Sequence, residues 1–192
     1  MRRPSILTAR PLRTVLRLLL AGWLLGAGTT LLAAGPATET EVKAAYLYNF
    51  AKFIHWPDSA FSDAQSPLRI CVAGDTELLG ILQKILQDKQ IDNREVRAQA
   101  LNRLDNSIAS CQILYHLSAS GIDARSLLAR TRQLPVVTIG DNGEFLDLGG
   151  MIAFVIVDQR VRFELDLAAI RQADIQLSSR LMGVAYKVRE AP

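Results

Sequence analysis

Apolar residues between positions 38 and 56 recur at steps of three and four. Val42, Ala45, Tyr46, Phe50, Phe53 and Ile54 therefore share one face of a predicted helix. Thr38 or Thr40 can cap it, and Glu39 and Glu41 suit the positive end of its dipole. Pro57 stops it, because the residue before a proline is pushed out of helical geometry. Further along, short apolar runs alternate with helix-period segments. Buried strands are predicted at 68–73, 111–117 and 135–140, and an alternating strand at 94–101 is placed at a sheet edge. Helices are predicted at 77–88, with Leu78, Leu79, Leu82, Ile85 and Leu86 facing inward, and at 122–132. The runs 151–157 and 161–167 flank Asp158, Gln159 and Arg160 and read as a hairpin. Asp166 caps a predicted helix through 173, and Ser178 caps a last one running to 189. Near-continuous apolar strands separated by helices imply a mainly parallel sheet covered on both faces. The expected fold is α/β: a three-layer, Rossmann-like sandwich with an antiparallel hairpin near the C-terminus.

The first 34 residues change the electrostatic picture. Arg2, Arg3, Arg10, Arg13 and Arg17 precede an apolar run of about 15 residues from Leu18 to Leu32, followed by Ala33, Ala34 and Gly35. A basic head, a short apolar run and small residues at its exit have the form of a cleavable secretory signal peptide. The run is short of the roughly 20 residues that span a bilayer. Residues 1–34 are therefore expected to be removed, leaving a single domain over 35–192 in the periplasm. Those 34 residues hold five of the 22 basic residues and none of the 19 acidic ones, which leaves 17 against 19, net −2. The remaining domain has no basic excess to recommend nucleic-acid binding.

The candidate chemistry is sparse. The two cysteines, Cys71 and Cys111, both fall in predicted interior strands. In an oxidising compartment such a pair usually bonds; two buried thiols in strands that do not touch are the alternative. Gly74-Asp75 and Gly140-Asp141 each close a buried strand, and open α/β sheets bind ligands at strand carboxyl ends. Asp75 and Asp141 could hold a polar ligand there; equally, Asp75 could cap a helix and Asp141 a turn with Asn142 and Gly143. His55 and His116 lie in different elements without metal-ligand spacing. There is no phosphate loop, no dinucleotide fingerprint and no nucleophile elbow. No catalytic residue, cofactor or metal is expected.

Residues 41–57, EVKAAYLYNFAKFIHWP, resemble the opening helix of the YfiR-like periplasmic family. Further segments resemble the family in order: LRICVAG at 68–74, CQILY at 111–115, PVVTIGD at 135–141, GGMIAF at 149–154, VRFEL at 161–165 and SSRL at 178–181. The resemblance implies a small periplasmic repressor that binds the periplasmic sensor domain of an inner-membrane diguanylate cyclase and so lowers cyclic-di-GMP and biofilm formation. It also implies an outer-membrane, peptidoglycan-binding lipoprotein that can draw the repressor away. Cys71 and Cys111 match a family disulfide. Some relatives carry a second cysteine pair around Gly149-Gly150, which is absent from this sequence.

Three readings follow: a repressor of a membrane cyclase or of another membrane sensor such as a histidine kinase, a small-molecule-binding module using Asp75 and Asp141, and an enzyme. The candidate partner surface is Glu164, Leu167, Ile170 and Leu177, where apolar and charged residues mix as at an interface core and rim. Packing of the apolar residues beneath a short helix is the plainer alternative. Association with a second copy of the chain is a further expectation.

Overall fold

The computed structural model of the protein describes residues 35–190. The expected leader, 1–34, lies outside the described residues.

Helix α1 (Glu39–Phe53) begins in a capping box. The Thr38 hydroxyl accepts the Glu41 amide at 3.2 Å, and the Glu41 carboxylate accepts the Thr38 amide at 2.7 Å. It ends three residues short of the sequence expectation. Ile54–His55 turn extended as β1 and pair with β9 (Gln176–Leu177), a ribbon no local pattern announced.

The main sheet has eight strands in the order β10-β8-β7-β6-β5-β2-β4-β3. They are β2 (Leu68–Ala73), β3 (Gln90–Ile91), β4 (Arg94–Ala100), β5 (Ile113–His116), β6 (Val137–Gly140), β7 (Ile152–Val157), β8 (Arg160–Asp166) and β10 (Lys187–Arg189). Pairing from β4 through β2, β5, β6 and β7 is parallel, whereas β7–β8 is an antiparallel hairpin. Asp158 and Gln159 close that hairpin with φ of 49° and 60°, the left-handed pair that matches strand twist. The remaining helices are α2 (Thr76–Ile85), α3 (Ala124–Thr131), α4 (Glu144–Asp147), α5 (Leu167–Gln172) and α6 (Ser179–Val184).

Three expectations are corrected. Strand β4 is not the edge, since the short β3 folds back on it through Asp92 and Asn93, both left-handed. The last helix stops at Val184 instead of running to 189. The Tyr186 amide donates to the Phe163 carbonyl at 2.9 Å, and the chain then joins β8 as β10. The sheet is covered on both faces only at its centre. Every residue of β5 and β6 is buried, but β8 alternates, with Arg160 and Arg162 in solvent.

Two apolar layers flank the sheet. On one side α1 packs Phe50 edge-on against Phe163 at 4.9 Å, with Tyr46 and Phe154 beside them. On the other, Cys71, Leu114, Leu127, Val136 and Phe145 form a smaller core. Cys71 and Cys111 are bonded there, with Cα atoms 5.8 Å apart. Cys111 lies two residues ahead of β5 instead of inside a strand, so the bond ties the middle of β2 to the entry of β5. Buried Gln112 adds a second tie. Its carboxamide oxygen accepts the Arg69 amide at 2.8 Å, its NH2 donates to the Ala60 carbonyl at 2.6 Å, and its backbone carbonyl accepts the Trp56 indole at 3.2 Å.

Glycine is required at two strand-end positions for space. A Cβ on Gly140 or Gly150 would overlap the Phe145 ring, which sits across both.

Two outcomes follow. Replacing both cysteines by alanine should lower unfolding free energy by about 4 kcal/mol at most, for a crosslink closing a loop of this length. Urea titration of the variant against the oxidised protein checks this, and alkylation without reductant should label no cysteine in the native protein. Gly140→Ala should destabilise by roughly 1–3 kcal/mol through overpacking, while Gly80→Ala, with open space around it inside α2, should stabilise by up to about 1 kcal/mol. Paired thermal melts would show the opposite signs.

Candidate functional site

The chain starts its main sheet at β2, moves out to β4, then returns to β5 on the other side. The carboxyl ends of β2 and β5 thus form the point where an open α/β sheet has its crevice. Here the Ser118–Ser120 turn fills it. Gly74 has φ +84°, and a Cβ there would overlap Ser120.

Both strand-end carboxylates hold backbone in place. Asp75 accepts the Leu78 amide at 2.9 Å and caps α2. Asp141 accepts the Ser118 amide at 3.1 Å and the Ser118 hydroxyl at 2.8 Å, bracing the turn after β5. Strand β5 separates the two, so they stand roughly 10 Å apart at ordinary strand spacing. Between them His116 is buried, donates from Nε2 to the Ile122 carbonyl at 2.7 Å and stacks on Phe145. The Tyr115 hydroxyl is buried with no hydrogen-bond partner among the described residues. Burial first, then the charges of Asp141, Asp75 and Glu39, raises its pKa, so the phenol stays neutral. Among the described residues no group of three His, Cys, Asp or Glu side chains is placed to hold a metal ion.

The four residues of the candidate partner surface do not share one face. Leu167 and Ile170 turn inward from α5 and are 9% and 2% exposed, in the core that α1 covers. Their helix is fixed by Asp166, whose carboxylate accepts the Ala169 amide at 2.9 Å. Leu177 is half-buried in β9, opposite Ile54. Glu164 projects from the other face of β8, where its side chain is largely covered, and accepts from Arg189 at 3.3 Å. Arg189 also donates to Asp147, and these partners, Asp147 foremost, raise the guanidinium pKa and hold its charge.

A different apolar group reaches solvent. Val184, Tyr186 and Val188 are 63%, 56% and 37% exposed and alternate along the final segment, beside the unpaired side of β10. Their period of two is visible in the sequence, but extending the α6 helix to 189 hides it.

The fold has a counterpart among solved structures. A crystal structure of a conserved domain protein from Vibrio cholerae O1 biovar El Tor superposes with a TM-score of 0.53 at 7% identity, covering 79% of this chain and 60% of that one. At that identity the likeness is one of fold, and this chain spans less than two thirds of the other protein's length. The family model described as YfiR/HmsC-like matches residues 40–186. That match runs from the first turn of α1 to the residue before β10, and the protein belongs to the YfiR/HmsC-like family.

Proposed function

We propose that the protein is a periplasmic regulator that restrains an inner-membrane diguanylate cyclase by binding its periplasmic sensor domain. The observation that carries this reading is family membership across nearly all the described residues. The Cys71–Cys111 bond supports an oxidising compartment. The strand-end carboxylates and His116 are engaged in bracing the fold, which favours a binding role over a catalytic one. Binding acts by preferring one conformation of the cyclase over another. An outer-membrane, peptidoglycan-binding lipoprotein would compete for the regulator, and a second copy of the chain would be a further partner.

Contact is made at the β10 edge. Val184, Tyr186 and Val188 supply an apolar centre with exposed Lys187 beside it, while Leu167 and Ile170 stay in the core and Glu164 lies on the opposite face of the sheet.

Deleting the protein should raise cellular cyclic-di-GMP, and complementation should restore it; an unchanged level in cells that normally express it would reject the cyclase as target. Ile170→Asp should fail by unfolding, because it places a charge in the core without a counter-ion. Its thermal transition should collapse. Tyr186→Glu should instead keep its stability within about 0.5 kcal/mol, as exposed substitutions do, and still fail to lower cyclic-di-GMP. A folded Tyr186→Glu protein that restrains the cyclase fully would remove the edge from the interface.

A further inference from the structure

A groove of about 610 Å³ lies between α3 and α5. That volume is in the range of small-molecule sites. Arg125 and Arg132 stand on the α3 wall, Ala169 and Gln172 on the α5 wall, and Thr138 and Met151 on the floor. The two arginines are seven residues apart, two turns of helix, so they share a face and are offset by about 10 Å along the axis.

Three features give the groove a chemistry. Neither guanidinium has an ion pair or side-chain hydrogen bond among the described residues, although acidic residues outnumber basic ones after position 34. Asp123, at the start of the same helix, is engaged with the Ser126 amide at 2.8 Å and the Ser126 hydroxyl at 2.7 Å. Thr138 is 1% exposed, and its oxygen accepts the Met151 amide at 3.2 Å. A threonine hydroxyl also carries one proton to donate, and this one has no acceptor among the described residues. Asp166 is the acidic residue lining the groove, and one of its oxygens already caps α5 at Ala169. Buried donors without acceptors are costly, and charge-assisted hydrogen bonds to guanidinium are strong. The buried Thr138 hydroxyl and the two exposed arginines line one space that an anion would satisfy, with small Ala129, Gly149 and Ala169 lining it as well.

We propose that this groove binds a small dianion, with one acidic group at Arg125, the other at Arg132, and a polar atom of the ligand accepting from Thr138. The site stands apart from the partner reading, since binding is measured on the purified protein alone. A dicarboxylate and a bisphosphate share the required chemistry, so titration calorimetry with adipate and with fructose 1,6-bisphosphate separates the two sources. One saturable site is expected for at least one of them, weakened by added salt. The preferred probe should bind more tightly than acetate or inorganic phosphate, which engage one arginine at a time. Arg125→Gln and Arg132→Gln should each weaken it about tenfold or more, from loss of one charge-assisted contact. Thr138→Val should weaken it by a smaller factor. Both arginines are exposed, so unchanged thermal melts should accompany the loss. No saturable binding of either probe at millimolar concentration would overturn the proposal, and so would binding that survives in the Arg125→Gln/Arg132→Gln double variant.

Discussion

The backbone of β5 has nowhere to place its hydrogen bonds except in the strands on either side. All four of its residues are buried on both faces, so water cannot satisfy its amides and carbonyls. Parallel pairing with β2 and β6 solves this, and the rest follows. Parallel neighbours need crossovers, which lay helices over the sheet. The entry to β5 must be held in register, and two side chains do this. Cys111 is bonded to Cys71 in β2, while Gln112 reaches the amide of Arg69 and the carbonyl of Ala60. Beyond the carboxyl end, Asp141 grips Ser118 and His116 grips Ile122, so the turn after β5 is pinned too.

The centre of this architecture was legible because its signals are local. Continuous apolar runs marked β2, β5 and β6; of the two candidate threonines Thr38 is the cap, Asp75 takes the capping alternative, and Asp166 and Ser178 cap their helices as expected. The other elements depend on long-range pairing. Strands β1 and β9 have two residues each, too few for periodicity to show, and they exist because positions 54–55 and 176–177 meet in space. Strand β10 was concealed by a serine cap that starts a real helix; only the free edge of β8 ends that helix early. Gln112 has no distinguishing context, and its role appears only when β2, the turn at Ala60 and Trp56 surround it.

The site was less legible for a related reason. Mixed charge and apolarity around positions 164–177 is what an interface looks like in one dimension, yet it is also what an amphipathic helix beside a strand looks like. Burial separates the two. Ile170 and Leu167 belong to the core, Glu164 lies largely covered on the opposite sheet face beside Arg189, and the exposed apolar row lies beyond this window at Val184, Tyr186 and Val188. Asp75 and Asp141 were rightly placed at strand ends, but their hydrogen bonds give them structural duties. The arginines of α3 carry no sequence signature at all. They matter only because α5 packs opposite them and leaves a trough.

Strand β10 also governs how the molecule behaves toward its own kind. At the far side of the sheet, β3 is two residues long and turns back through left-handed Asp92 and Asn93, a poor template for another chain. At the near side, β8 is seven residues long with an apolar inner row of Val161, Phe163 and Leu165. Among the described residues, three-residue β10 lies along its outer side. A polypeptide truncated by a protease or a premature stop before Tyr186 would keep its central sheet and bare that long edge, an open invitation to strand-by-strand self-addition. Strand β10 thus covers the sheet edge most open to strand addition.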